Sequence, residues 1–511
     1  MARSIGRSSL VFAAMTLISR VLGLLRDILV ARYFEAGITD PFFAALRIPN
    51  TLRRFFAEGG FANAFVPVFS ATKAEHPEQL KDLLRHTSGT LLGFLLAITT
   101  VGVIFSGAII YAVANGLSAK PEQFVLAEQM LRIMFPYILL VSLTAMAGGV
   151  LNTYGRFAIP ALTPVLLNIA LISACLWRAY RGDAGDVGME LAWAVLIGGI
   201  LQLALQLPFL YRLGLLVMPK WGWKHSGVRR ILRLMLPTLF GSSVGQLTIL
   251  VNTFLASHLL TGSISWLYYT DRMVELPIAL IGVALGTVIL PKLSALKALD
   301  DEQRFAYTLD WALRWGILVG SAASLGLTVL APSILATLFY GGEFTAQDLL
   351  MTTLSLRAYG IAAVFLILVK VLAPAFYARH DMRTPVRAGI CAMAANLLAA
   401  IVLSRFYGHV GLAAASALAA VVNVGLLLYF LWRQGIRIKT ASLGFVFKLL
   451  AANAAMGLCL LYLQGDAGQW LEWTRFERLW HLLLLIAVGI MTYFVALYAL
   501  GVRKQQFILG E

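Results

Sequence analysis

Between Met15 and Pro67 the chain places Arg20, Arg26, Asp27, Arg32, Asp40, Arg47, Arg53, Arg54 and Glu58 inside two stretches that otherwise read as long apolar helices. A charge at the centre of a membrane helix costs about 2.5–3.5 kcal/mol on insertion scales, so such groups are expected to turn inward. Several arginines around a wet cavity would hold an anion, and the planar guanidinium fork suits phosphate oxygens. On helical spacing Arg20, Gly23 and Asp27 share one face, with Arg26 about 100° round from Asp27. Arg32, Arg47 and Arg54 are placed to snorkel towards headgroups. A second charged run, Tyr268-Tyr-Thr-Asp-Arg-Met-Val-Glu-Leu-Pro277, sets Asp271 and Glu275 on one face and Arg272 on the next. Arg272 is placed to meet the first-half arginines across a central gap; the alternative is a local ion pair with Glu275, which does not exclude cavity lining. Lys370, deep in its apolar run, is a further basic candidate, whereas Arg132 and Lys448 lie nearer span ends.

The elements that must position these groups are membrane helices. The 511 residues are 60% hydrophobic and 13% charged, about half the charge fraction of a soluble protein. Repeated apolar runs of about 20 residues without period-2 alternation exclude a β-barrel. The fold class is therefore an all-α integral membrane protein. Fourteen spans are expected, near 8–33, 40–70, 86–115, 124–152, 158–180, 188–213, 229–260, 263–291, 305–338, 347–378, 386–404, 409–432, 441–463 and 478–501. Pro49, Gly59-Gly60 and Pro277 predict kinks. The first apolar run continues past Arg20 without a small-residue cleavage site, so it reads as a retained span. With the N-terminus inside, cytoplasmic segments hold 22 of the 41 Lys and Arg, outer loops six (Lys120, Arg178, Arg181, Arg405, Arg475 and Arg478) and spans 13. That asymmetry predicts two cytoplasmic termini.

An internal repeat divides the chain. Pro67-Val-Phe-Ser-Ala-Thr-Lys73 matches Pro291-Lys-Leu-Ser-Ala-Leu-Lys297 at an offset of 224, and Tyr211-Arg-Leu-Gly214 matches Trp432-Arg-Gln-Gly435 at 221. Six spans per copy is an even number, so the copies are expected as parallel repeats with substrate between them near the midplane. The expected division is a six-helix lobe over 1–214, a second over 215–435, and two additional helices over 436–511. The last pair could form a groove for a lipid tail.

Enzyme chemistry is not expected. Gly241-Ser-Ser-Val-Gly245 fits G-x-S-x-G but lies in an apolar helix, and reads as close helix packing, as does Gly282-Val-Ala-Leu-Gly286. The seven histidines are scattered, and no phosphate-binding P-loop occurs. Cys175, Cys391 and Cys459 lie in apolar runs and read as packing residues. The basic residues sit in short loops and spans, without a tail that would suit nucleic acid. No cofactor or metal is expected. The residues alone suggest an amphiphile with a phosphorylated head and a long hydrocarbon chain.

Ser19-Arg-Val-Leu-Gly-Leu-Leu-Arg-Asp27, Thr39-Asp40, Pro49-Asn50, Leu52-Arg-Arg-Phe-Phe-Ala-Glu-Gly59, Ala64-Phe-Val-Pro67 and Tyr269-Thr-Asp-Arg-Met-Val-Glu275 closely resemble the MurJ (MviN) lipid II flippases. That family belongs to the multidrug/oligosaccharidyl-lipid/polysaccharide exporter superfamily. The resemblance spans essentially the whole chain. It implies movement of lipid II, the undecaprenyl-pyrophosphate disaccharide-pentapeptide, from the cytoplasmic to the periplasmic leaflet of the bacterial inner membrane. Arg20, Arg26, Arg53 and Arg272 are then the substrate-binding residues, with Asp40, Glu58, Asp271 and Glu275 in gating or conformational roles. Some members bind sodium through acids in spans seven and eleven, but residues 231–260 and 386–403 contain no Asp or Glu. Partners implied are lipid II, membrane lipids and cell-wall synthesis proteins, with the chain a monomer. A drug/cation antiporter of the same superfamily would favour acidic cavity residues and need no extra helices. A structural scaffold would have little need for buried arginines.

Overall fold

The computed structural model describes residues 2–55, 60–182, 188–436, 438 and 443–503, with side chains throughout except at 2–13, 236–244, 443 and 467. Apart from an isolated bridge between Gly341 and Phe344, every regular element described is helical. The chain forms two compact units, Met1–Ile264 and Ser265–Glu511.

The first unit holds α1 (Ala2–Tyr33), α2 (Ala36–Arg53), α3 (Gly60–Glu75), α4 (Leu80–Ile104), α5 (Ser106–Val113), α6 (Pro121–Met134), α7 (Tyr137–Thr153), α8 (Ala158–Arg181), α9 (Met189–Arg212) and α10 (Ser226–Ser257). Its core is an aromatic ladder on α3. Phe61, Phe65 and Phe69 recur every four residues, so their rings line one face with centroids 5.2 and 5.3 Å apart, the first pair stacked and the second tilted. They pack against Leu83 and Leu84 of α4, Met146 and Val150 of α7, and Ile231 of α10. α1 lies along α8.

The second unit begins with α11 (Ser263–Pro277), followed by α12 (Val283–Ala298), α13 (Glu302–Val329), α14 (Ala331–Leu338), α15 (Ala346–Gly360), α16 (Ala362–Tyr377), α17 (Arg383–Arg433), α18 (Leu443–Leu463), α19 (Ala467–Glu472) and α20 (Arg475–Ala499). The kink expected at Pro277 is realised as a π-helical turn over Ile278–Gly282. Proline removes one backbone donor, and the wider turn absorbs the resulting break. At Gly408, φ is +56° and the 51-residue α17 changes direction, separating expected spans eleven and twelve. Pro136 lies between α6 and α7, a break inside the expected fourth span that apolar run length does not reveal.

Nine helical segments among the described residues are long and apolar enough to cross a membrane, or ten if α15 and α16, bent by 42°, form one span. Among the expected fourteen, the first, second and seventh are not in that set, and the eleventh and twelfth fall within one helix. α2 carries Asp40, Arg47 and Arg53 within 18 residues, so the charges that mark it for function also lower its apolarity.

The two matched tetrapeptides close their helices in the same way. Gly214 (φ +66°) and Gly435 (φ +81°) adopt the left-handed cap, and the following residues donate back to the Leu210 and Leu431 carbonyls at 3.0 and 3.1 Å. Only glycine enters that conformation without strain, so the repeat signal is a Schellman cap written twice.

The last helices are fastened to α13 and α14 by polar bonds. Tyr493 Oη donates to the Leu318 carbonyl at 2.7 Å, Asn453 Nδ2 to Ser321 Oγ at 3.1 Å, and Gln464 Nε2 to Ser333 Oγ at 2.7 Å. Arg478, which sequence reading places in an outer loop, is buried and donates to the carbonyls of Ala336, Tyr340 and Leu471.

Candidate functional site

In α1 the Arg26 guanidinium is held from two sides. Its Nε and Nη2 donate to Asp27 Oδ1 at 2.9 and 2.6 Å, and Nη1 donates to Asn168 Oδ1 at 3.1 Å. Asn168, on α8, also donates through Nδ2 to the Ser19 carbonyl at 3.0 Å. Asp27 is 2% exposed and Arg26 9%. A buried ion pair persists when its remaining lone pairs and protons are satisfied, and Asn168 does this for the guanidinium. Nothing in the sequence marks Asn168, because an Asn in an apolar run has no spacing signature. Gly23 is buried, whereas Arg20 is exposed on the same helix.

On α2, Asp40 is 2% exposed, and its Oδ2 accepts the Gly262 N–H at 2.6 Å. The segment that carries Gly262 is tied down elsewhere too. Ser257 Oγ accepts the Gly116 N–H at 3.0 Å, and Lys120 Nζ donates to the Leu259 carbonyl at 3.2 Å. Gly262 has φ +101°, a conformation that excludes most side chains. Arg53 ends α2 and is half-buried. Glu58 lies outside the described residues.

On α11, Arg272 Nη1 donates to Glu275 Oε2 at 3.2 Å and the guanidinium lies 5.8 Å from the Tyr268 ring centroid. The local pair with Glu275 is therefore formed. Asp271 is half-buried and Glu275 exposed. On α16, Lys370 is exposed, and its backbone carbonyl would lie 2.7 Å from a Cβ at Gly286. Gly282 and Gly286 are thus close-packing glycines, as expected. Gly245 is not: a Cβ there would meet nothing within 4 Å, so close packing fails at the end of that motif. Of the cysteines, Cys175 is buried, Cys459 half-buried and Cys391 exposed, so Cys391 is not a core-packing residue.

The histidines are not all scattered. Asp82 and His86 on α4 meet His225, which caps α10, in one cluster. Sequence spacing could not bring together groups 139 residues apart.

The helices and the charges buried among them define a polytopic helical membrane protein. The sequence profile of the family "Lipid II flippase MurJ" matches residues 30–480. The chain is 43% identical over 507 residues to "Probable lipid II flippase MurJ" of Vibrio cholerae, covering 97% of this chain and 96% of that protein. It is 40% identical to the Haemophilus influenzae protein of the same name, covering 97% and 99%. It superposes on the solved structure "Lipid II flippase MurJ, inward closed conformation" with a TM-score of 0.79 at 28% identity, covering 95% and 98%. An inward-facing multidrug resistance MATE family transporter gives a TM-score of 0.67 at 15% identity, a likeness of fold alone. The chain belongs to the lipid II flippase MurJ family.

Proposed function

We propose that this chain moves lipid II from the cytoplasmic to the periplasmic leaflet by alternating access, with both termini cytoplasmic. Arg20, Arg26, Arg53 and Arg272 take the pyrophosphate and head group. Asp40 holds one conformational state, with Glu58, Asp271 and Glu275 as secondary conformational residues. The lobes follow the repeat, 1–214 and 215–435, and residues 436–511 form the tail groove. The chain works as a monomer beside cell-wall synthesis proteins.

The observation that supports this reading best is the buried Arg26–Asp27 pair, in a chain whose relatives are lipid II flippases. An arginine held by a carboxylate and an amide can exchange that carboxylate for a pyrophosphate, which offers more charge and more oxygens to the same fork. Asp27 then serves as the resting counter-ion that keeps the guanidinium aimed. Transport requires no chemistry on the substrate. Membrane potential is one energy source, since moving one charge across 100 mV yields about 2.3 kcal/mol.

The experiment is binding of purified lipid II to the protein in detergent at fixed salt, with inserted Arg26→Ala alongside. Tight binding by wild type and weak binding by the variant support the reading. Equal binding removes Arg26 from the head-group site.

A further inference from the structure

We propose that Asp82, His86 and His225 form a binding site for a divalent transition ion, with Zn2+ the best fit, that clamps the segment between α9 and α10 onto α4. His86 Nδ1 lies 3.3 Å from one carboxylate oxygen of Asp82, and His225 Nε2 lies 3.3 Å from the other. Zinc–nitrogen and zinc–oxygen bonds of about 2.0–2.2 Å set tetrahedral ligand–ligand edges near 3.3 Å. Each contact, taken with its own carboxylate oxygen, is as long as one such edge. One donor atom from each of the three residues lies within 4.8 Å of the other two.

The segment holding His225 is built in place independently of any ion. Lys220 N–H donates to the Arg85 carbonyl at 2.9 Å and Gly222 N–H to Thr90 Oγ1 at 3.1 Å. A Cβ at Gly89 would fall 2.2 Å from the Lys220 carbonyl oxygen, so the two backbones are in direct contact. The imidazoles of His86 and His225 stack with centroids 4.9 Å apart and planes within 15°. Both rings thus present a nitrogen edge to the same carboxylate. The Asp82 side chain is 56% exposed, which leaves water for the fourth position.

Two imidazole nitrogens and one carboxylate select borderline ions over Mg2+ and Ca2+, which favour oxygen shells. Ligation sets the tautomers. His225 Nδ1 accepts the Gly227 N–H at 3.2 Å, which puts the proton of the neutral ring on Nε2. Binding zinc through Nε2 moves that proton to Nδ1 and gives up this cap bond. His86 Nδ1 lies 3.0 Å from the Asp82 backbone carbonyl, an acceptor that puts the proton of the neutral ring on Nδ1, so ligation through Nδ1 moves that proton to Nε2 and gives up this bond.

The test uses the full-length protein carrying a tag free of histidine, stripped with chelator and titrated with Zn2+ against a competing zinc dye. One ion per chain is expected, with a rise in thermal unfolding temperature that equal Mg2+ does not reproduce. His86→Gln and His225→Gln, made separately, should each weaken binding by more than about a hundredfold, beyond the roughly 10–100-fold that outer-shell changes cost. Unchanged elution and unfolding temperature without zinc show that each variant is folded. Co2+ substituted at the site should give the intense visible absorption of a four-coordinate ion, lost in both variants. Absence of stoichiometric binding, binding that survives either substitution in a folded variant, or an equal response to Mg2+ overturns the proposal.

Discussion

The Asp40 carboxylate and the Gly262 amide, 222 residues apart in sequence, meet at 2.6 Å with Asp40 almost fully buried. A charge-assisted bond of this kind pins the turn before α11 to the start of α2. Asp40→Leu leaves the amide without its acceptor, and loss of about 1–3 kcal/mol of stability is expected. Asp40→Asn retains an acceptor and should lose less. Thermal unfolding in detergent measures both, and equal stability of the Leu variant and wild type would remove the pin.

Gly262→Ala probes the same turn from the backbone side. At φ +101° a Cβ is strained, so destabilisation by more than the roughly 0.4–1 kcal/mol that Gly→Ala contributes through the unfolded chain is expected. A neutral or stabilising effect would show that the turn relaxes readily.

The Arg26–Asp27 pair separates stability from binding. Arg26→Ala takes the adjacent guanidinium from a buried carboxylate and should cost up to about 3–5 kcal/mol. Adding Asp27→Asn removes the buried negative charge and should return most of that stability. Lipid II binding should stay weak in the double variant, because the guanidinium is still missing. Recovery of both properties together would make Arg26 a structural residue only.

Single cysteines at Arg20, Arg26 and Arg272 report access to water. Position 20 is exposed and position 26 buried, so a small water-soluble thiol reagent should label Arg20→Cys readily and Arg26→Cys slowly. Arg272→Cys should fall between them. Uniform protection of all three, with loop controls labelled, would place them in lipid or packed protein.

Much of this architecture is legible in residue order. Apolar run length gives the helices, Pro277 gives the π turn, and the paired Tyr211/Trp432 motifs give matched caps because helix ends are local events. The Arg272–Glu275 pair is legible for the same reason, being three residues apart on one helix. Asn168, the Asp40–Gly262 bond, and the meeting of Asp82 with His225 depend on which helices pack together. No spacing rule carries that information. Arg478 is misread because a basic residue at a span end usually reaches water, whereas here three uncapped carbonyls receive it.

Leaflet transfer of lipid II decides the functional reading. Cells depleted of their own flippase and supplied with this chain should expose lipid II to a cleaving enzyme confined to the outer side of the inner membrane. Replacement by Arg26→Lys should reduce that exposure, and Arg26→Ala should reduce it further at matched membrane levels. A charge-assisted bond lost from a partly desolvated site costs about 1.5–3 kcal/mol, which is roughly tenfold to hundredfold in affinity. Lipid II that remains entirely inside when wild type is present, or full exposure with Arg26→Ala, would contradict the account.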